Sequence, residues 1–295
     1  MIAIRPVESD ADYETWVEVR NAVVPNEPTT VEQTRRADGE PGRLLVLADL
    51  DGRVAGTGIA ARSSFGGRAF LAPRVLPELR GRGVGRALVR ALSDHARSCG
   101  FEGVNAFVAG DDARSIEFAR SYGLEDVDLQ LEQVRRVGTD EPGPEPPDGI
   151  ELVALGARRD ELLRAVWPVA AAGYAEMPLP QPMEVPVEEW LRDEATVPEG
   201  SFAAFAGGEP VGYAGLLLRP GGEVAEHGLT VVRGDFRRRG VAVALKRAVI
   251  HWASQNGVGE LVTWTQRGNE AMQALNRKLG YVDRERVLTF QGPLP

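Results

Sequence analysis

The stretch Phe236–Ala253, FRRRGVAVALKRAVIHWA, runs three arginines into a glycine and then into a segment with helical apolar spacing. A helix start carries free backbone N–H groups and the positive end of the helix dipole, so it favours an anion. Glycine lets that anion approach the backbone, and arginine adds charge-assisted hydrogen bonds. Read alone, the segment is first of all a solvated basic helix start, and its meaning depends on whether it recurs.

It does recur. Shifted by 157 residues, RGRGVGRALVRAL (80–92) lies on RRRGVAVALKRAV (237–249) with eight of thirteen positions identical. The same shift, without a gap, puts Val54, Gly58 and Arg62 on Val211, Gly215 and Arg219, and Gly100 and Gly123 on Gly257 and Gly280. One register held this far marks a tandem duplication. Residues 1–137 and 150–295 are the expected domains, each within the ordinary size range of about 50–250 residues. Between them GTDEPGPEPPDG (138–149), rich in proline, glycine and acid, predicts a stiff exposed linker.

Composition agrees. A chain of 295 residues is long for one core, since domains run to about 150 residues. With 43% hydrophobic and 26% charged residues the chain belongs among soluble globular proteins. A net charge of −9 argues against a nucleic-acid partner, so the arginines near 237 are a local feature. Cys99 is the single cysteine, which rules out an intrachain disulfide and a cysteine zinc cage. It reads as a helix-end core residue. No apolar run is long enough to span a membrane and the start MIAIRPVESD is not a secretory signal, so a cytoplasmic address is expected.

Each copy has one pattern. Residues 9–22 open with a Ser-x-x-Asp cap and predict a helix, and Thr30 with Gln33 predicts a short second one. A hairpin about Asp51-Gly52 follows, then the strand AFLAPRVL, the Arg/Gly segment, a helix over 84–99, the strand GVNAFVA, a helix ending at Gly123 and a final strand. The second copy has helices near 158–172 and 186–194, a hairpin, the strand EHGLTVV, a helix over 241–255, the strand ELVTWTQ, a helix over 269–279 and RERVLTF. The expected fold class is α+β, a mixed sheet covered by helices.

A phosphate grip after an apolar strand, present twice, narrows the ligand. Neither copy has the Gly-Lys-Ser/Thr of a P-loop, and GRGVGR puts Arg86 where a dinucleotide fingerprint needs glycine. Arg80-x-x-Gly83-x-Gly85 and Arg237-x-x-Gly240-x-Ala242 resemble the acyl-CoA pyrophosphate loop of the GNAT superfamily of N-acyltransferases. Asn269, Asn276, Gly280 and Tyr281, and Asp112, Gly123 and Leu124, resemble that family's closing helix. The resemblance covers nearly the whole chain and implies two tandem GNAT-like domains.

The resemblance further implies transfer of an acetyl group from acetyl-CoA, without a metal, to the amine of a small molecule. The expected cofactor residues are Val231, Val232, Arg237, Arg238, Arg239, Gly240, Val241, Ala242 and Asn269 in the second copy, and Leu76, Arg80, Gly81, Arg82, Gly83, Val84 and Gly85 in the first. Backbone N–H groups of Leu229–Val232 or Ala72–Val75 are expected to bind pantetheine and polarise the thioester carbonyl. The family's usual proton-donating tyrosine, four residues before the closing glycine, is replaced here by Ala119 and Asn276. Glu226 and His227 aligned by the shift with Ala69 and Phe70, are the candidate bases, beside Asn276 in the expected catalytic set. An exposed strand-end Glu and His is an equal reading. Tyr174, Met177, Trp264 and Thr265 are the candidate acceptor-binding residues, the first two in a long loop (172–185) that also holds Glu176 and Met183. Trp264 serves equally as core. His95 and His251 read as surface or packing residues. The second copy is the expected catalytic one, as a monomer or homodimer. A catalytic first copy and a non-enzymatic acyl-CoA-binding regulator stay open.

Overall fold

The structure is a computed structural model that describes residues 1–25, 28–63, 67–178, 185–219 and 221–295. Its contacts divide the chain into two compact units, Met1–Val127 with Leu288–Pro295, and Asp128–Val287. The division falls at Asp128, ahead of the proline-rich segment at 138–149, and the last eight residues belong with unit 1.

Unit 1 contains β1 (Ile2–Pro6), α1 (Asp10–Val23), α2 (Val31–Arg35), β2 (Leu44–Leu50), β3 (Arg53–Arg62), β4 (Ala69–Val75), α3 (Val84–Ser98), β5 (Gly103–Ala109) and α4 (Ala113–Arg120). Its strands lie in the order β1-β2-β3-β4-β5 and then the C-terminal part of β12 (Val282–Pro293). The caps read from sequence are present: Ser9 and Asp12 bond reciprocally at the start of α1, as Thr30 and Gln33 do for α2. Asp51 (φ 53°) and Gly52 (φ 83°) turn the β2–β3 hairpin. Leu88, Val89, Leu92 and Ala96, one face of α3, are buried.

Unit 2 contains β6 (Glu125–Arg136, from Asp128), β7 (Ile150–Ala154), α5 (Arg159–Ala175), α6 (Val187–Asp193), β8 (Phe202–Ala206), β9 (Glu209–Leu218), β10 (Val224–Val232), α7 (Val241–Gln255), β11 (Glu260–Gln266), α8 (Glu270–Lys278) and the first part of β12. The order is β12-β6-β11-β10-β9-β8-β7. One core lies between the sheet and α7, around Ala214, Leu216, Val241, Leu245, Val249 and Tyr281. The other lies under α5 and α6, around Leu163, Val166, Trp190, Tyr213, Leu229 and Val231.

Each unit is thus a mixed sheet covered by helices, as read from the sequence, and the helices lie on both faces. Three details differ. The opening strands β1 and β7 were not expected; each is five residues long and only half-buried, too short for a periodic signal. Cys99 is exposed rather than core, because it caps α3 after the helix's buried face has ended. Finally, the 157-residue offset does not hold throughout. Ala69 pairs with Val104 and Ala225 with Leu261, and Gly56 pairs with Val75 where Gly212 pairs with Val232. The offset is therefore 225 − 69 = 156 at the start of β10 and 212 − 56 = 156 in β9, but 232 − 75 = 157 at the end of β10. The structural counterparts of Glu226 and His227 are Phe70 and Leu71, not Ala69 and Phe70, and that of Tyr213 is Thr57. One residue has been inserted within β10.

Candidate active site

The insertion is visible as a bulge. The β9–β10 ladder shifts register between His227 and Thr230, whereas β3–β4 runs without a break. Gly228 and Leu229 stand there where β4 has Ala72 alone. Ala225 packs towards α7 while Leu229 and Val231 pack under α5, so the bulge re-aims the second half of the strand. The parallel partner is lost at the same place: β10 pairs with β11 only over Val224–Glu226, and β4 with β5 only over Ala69 and Phe70. Since β11 runs on beside β6 to Gln266, the edge of β10 that faces it is open from His227 onward.

At the far end of each open strand sits the arginine–glycine loop. Gly240 (φ 88°) and Gly83 (φ 89°) occupy the N-cap positions of α7 and α3 in the left-handed conformation, with no side chain capping the helix. Two residues earlier Arg238 (φ 65°) and Gly81 (φ 81°) are left-handed as well. Such a series turns successive N–H groups into a concave anion nest, so both loops suit a phosphate ligand. Val241 and Val84 anchor the helix starts in the cores, while Arg82, Arg238 and Arg239 are exposed. The leading arginine has a different job. Arg237 Nε donates to the Val232 carbonyl at 2.9 Å and Arg80 Nε to that of Val75 at 3.2 Å, tying each loop to its strand. Arg237 also pairs with Glu176 at the end of α5. Val231, Val232 and Leu76 are placed by their backbone pairing, and Ala242 is half-buried in the first turn of α7. Asn269 is the N-cap of α8, and its side chain makes no cap bond.

The remaining candidates fall on two faces of the unit 2 sheet. Glu226 and Trp264 share one, because Glu226 is in register with Val262, two residues before Trp264. Glu226 Oε2 accepts from Arg219 Nε at 2.9 Å, and buried Glu132 holds Arg284 and lies 3.8 Å from Arg219. Tyr174 and Met177 pack against the core under α5 and α6, whereas Met183 lies outside the described residues. His227, Thr265 and Asn276 lie on the α7–α8 side. His227 Nε2 and Tyr281 Oη share a 2.6 Å hydrogen bond, and Asn276 Nδ2 donates to Gln133 Oε1 at 2.9 Å. Burial, and then the charge of Lys246, drive the His227 pKa well below the usual imidazole value. The structure thus groups Glu226 with Trp264 and separates them from His227, Asn276 and Thr265. His251 Nδ1 binds the Glu141 carbonyl at 2.8 Å, a packing role.

Three groups had no signal in the sequence. Lys246 is fully buried on α7, its Nζ has no hydrogen-bond partner and lies 5.3 Å from the Tyr281 ring centroid, and burial pushes its pKa down to about 7. Glu194 and Tyr213 form a buried pair, Tyr213 Oη donating to Glu194 Oε1 at 3.0 Å. Glycines at 215 and 228, over which Glu194 lies, are the only trace they leave in the sequence. Among the described residues, all three buried carboxylates, Asp128, Glu132 and Glu194, belong to unit 2.

An opened parallel strand pair, closed at one end by an anion nest on a helix start, defines an acyltransferase. The chain belongs to the acetyltransferase (GNAT) family, whose model matches residues 10–124 and 162–281. It is similar to the mycothiol acetyltransferase of Catenulispora acidiphila, at 28% identity over 229 residues, covering 74% of this chain and 70% of that protein. Its fold is that of a GCN5-related N-acetyltransferase from Sphaerobacter thermophilus (TM-score 0.81, 19% identity, 99% and 96% of the two chains). It is also that of a tandem GNAT protein from the clavulanic acid biosynthesis pathway (0.76, 21%, 100% and 99%). The chain is accordingly a tandem N-acetyltransferase, distantly like the mycothiol acetyltransferases. No helix among its described residues is long and apolar enough to cross a membrane.

Proposed function

We propose that unit 2 transfers an acetyl group from acetyl-CoA to the primary amine of a small molecule by direct attack, in the cytoplasm, with no nucleic-acid partner and no metal, as a monomer or homodimer. The bulge in β10, absent from β4, carries this reading. Both strands have an open edge, but only in β10 does a bulge re-aim the backbone N–H groups beside it, an arrangement suited to polarising an acyl carbonyl.

The nest fits the cofactor's diphosphate: two left-handed residues and an uncapped helix start leave N–H groups for it, and Arg238 and Arg239 supply charge. Bound acetyl-CoA supplies an activated acyl carbon. Around it, the open-edge N–H groups of Thr230 and Val232, past Leu229 whose own N–H donates to Glu194, hold and polarise. Glu226, kept in place by Arg219, takes the proton that the ammonium must lose, through water. Neither Ala119 nor Asn276 carries a hydroxyl, and Asn276 already serves Gln133, so solvent returns the proton to the thiolate. Unit 1 has the same nest but Phe70 and Leu71 at the apex, which suits a domain that binds the cofactor without turning it over. An amine acceptor agrees with the similarity of 115 residues of this chain, at 32% identity, to an aminoglycoside N(6')-acetyltransferase of Klebsiella aerogenes.

The test follows release of the CoA thiol with a panel of amines. Gly240→Glu, which places a carboxylate in the unit 2 nest, is expected to lower turnover at least 100-fold, while Gly83→Glu leaves it within about threefold. Loss with Gly83→Glu alone assigns catalysis to unit 1. Failure of acetyl-CoA to raise the melting temperature refutes the cofactor.

A further inference from the structure

Glu194 follows α6 and precedes Ala195, a non-glycine residue held in the left-handed region (φ 50°) and fully buried. The strained turn aims the carboxylate at the sheet, where it lies over Gly215 of β9 and Gly228 of β10. A Cβ at either position would overlap Oε1. Glu194 is only 7% exposed, and its partners are the Tyr213 hydroxyl and the N–H groups of Leu229 and Ala195. All are neutral. Arg159 spends its guanidinium on the carbonyls of Leu191, Glu194 and Ala195 and on Asp160. Burial raises the carboxyl's pKa, outweighing the three hydrogen bonds and the nearby charge of Arg159, which makes no hydrogen bond to the carboxylate.

A carboxylate buried on the bulge with only neutral hydrogen-bond donors in contact is a costly element in a core. The leucine and valine side chains that surround it would tie α6 to the sheet without that penalty. What a carboxylate adds is affinity for a positive charge. Leu229, whose N–H donates to Glu194, is the first residue past the bulge on the α5–α6 face, so the carboxylate sits beside the stretch where the edge of β10 is open.

We propose that Glu194, with Tyr213 behind it, is the counter-ion for the acceptor's ammonium group, so that unit 2 selects amines that arrive as cations. The inference rests on the proposed function of unit 2 and adds a substrate class and a specificity residue. Unit 1 has Thr57 in place of Tyr213 and no buried carboxylate among its described residues, and it lacks this selection.

The test compares wild type, Glu194→Gln and Tyr213→Phe, all full length. The probes are spermidine and kanamycin, cationic at about pH 7.5, and aniline, neutral there. Equal stabilisation of all three proteins by acetyl-CoA verifies the fold and the cofactor site. Glu194→Gln keeps the size and is expected to lower kcat/KM for the cationic probes on the order of 100-fold, chiefly through KM, while aniline changes less than about threefold. Spermidine is expected to stabilise the wild-type CoA complex and not that of the variant. Tyr213→Phe removes a donor to the carboxylate and is expected to move the acid limb of the spermidine profile to higher pH. That variant tests the proposal alone if Glu194→Gln does not fold. Equal losses for aniline and the cations, unchanged cation turnover, an unmoved acid limb, or a wild type that neither binds nor acetylates the cations each overturn the proposal. Loss of acetyl-CoA stabilisation in wild type itself refutes instead the cofactor reading beneath it.

Discussion

Gly228 is a single residue with consequences on two sides. It lies in the bulge, where β10 has two residues against one in β4, and its missing side chain gives Glu194 a floor. Deleting it gives β10 the register of β4. We expect kcat to fall on the order of 100-fold or more, the usual cost of losing a preorganised donor to an acyl oxygen. Calorimetry should still find acetyl-CoA bound, since the nest lies beyond the deletion. Gly215 is the companion case. A methyl group there meets both Glu194 and Tyr213, so Gly215→Ala is expected to destabilise unit 2 by about 1–3 kcal/mol, read as a lower urea midpoint.

At the scale of elements, β10, α7 and the turn after α8 bring His227, Lys246 and Tyr281 together in a core where unit 1 has Leu71, Val89 and Leu124. Burial disfavours the charged forms of both the imidazole and the amine. The unfolded chain binds their protons more tightly, so stability rises with pH. For Lys246 the gain accrues between about 7 and the ordinary value of 10.5, and for His227 below the ordinary 6.5. Lys246→Met is expected to flatten the curve of urea midpoint against pH above 7 and to raise stability at pH 7 by a few kcal/mol. An unchanged slope would show the amine to be hydrated in solution.

This cluster also marks where sequence reading stopped. The helices, the hairpins and both anion nests were legible because they rest on local rules: caps, apolar spacing and glycine conformation. The repeat carried the fold by making weak signals occur twice. Glu194 left no such trace. A glutamate after a seven-residue helix looks solvated until two glycines on other strands are known to lie beneath it. The inserted residue hid for a related reason: an offset of 157 matches the identical loops well, and only strand pairing reveals 156 on the near side of the bulge. Lys246 kept the spacing of a core position, but its residue type spoke for the surface.

For the molecule as a whole, the repeat in the sequence and the units in space end at different strands. Unit 1 takes Leu288–Pro295 beside β5, where the Leu294 N–H donates to the Glu102 carbonyl at 3.1 Å and Arg68 reaches the Gly292 carbonyl at 3.0 Å. Removing residues 288–295 should therefore strip hydrogen-exchange protection from β5, while β8 to β10 keep theirs. Equal loss in both units would show that they unfold as one.

The discontinuity of unit 1 bears on synthesis. A chain leaving the ribosome presents Met1–Val127 early, yet the strand that covers β5 emerges only after all of Asp128–Val287. At a usual pace of about 5–20 residues per second, β5 waits many seconds as a bare sheet edge. Unit 1 can therefore complete its sheet only after unit 2 has been made. A strand borrowed from a second nascent chain would seal the same edge.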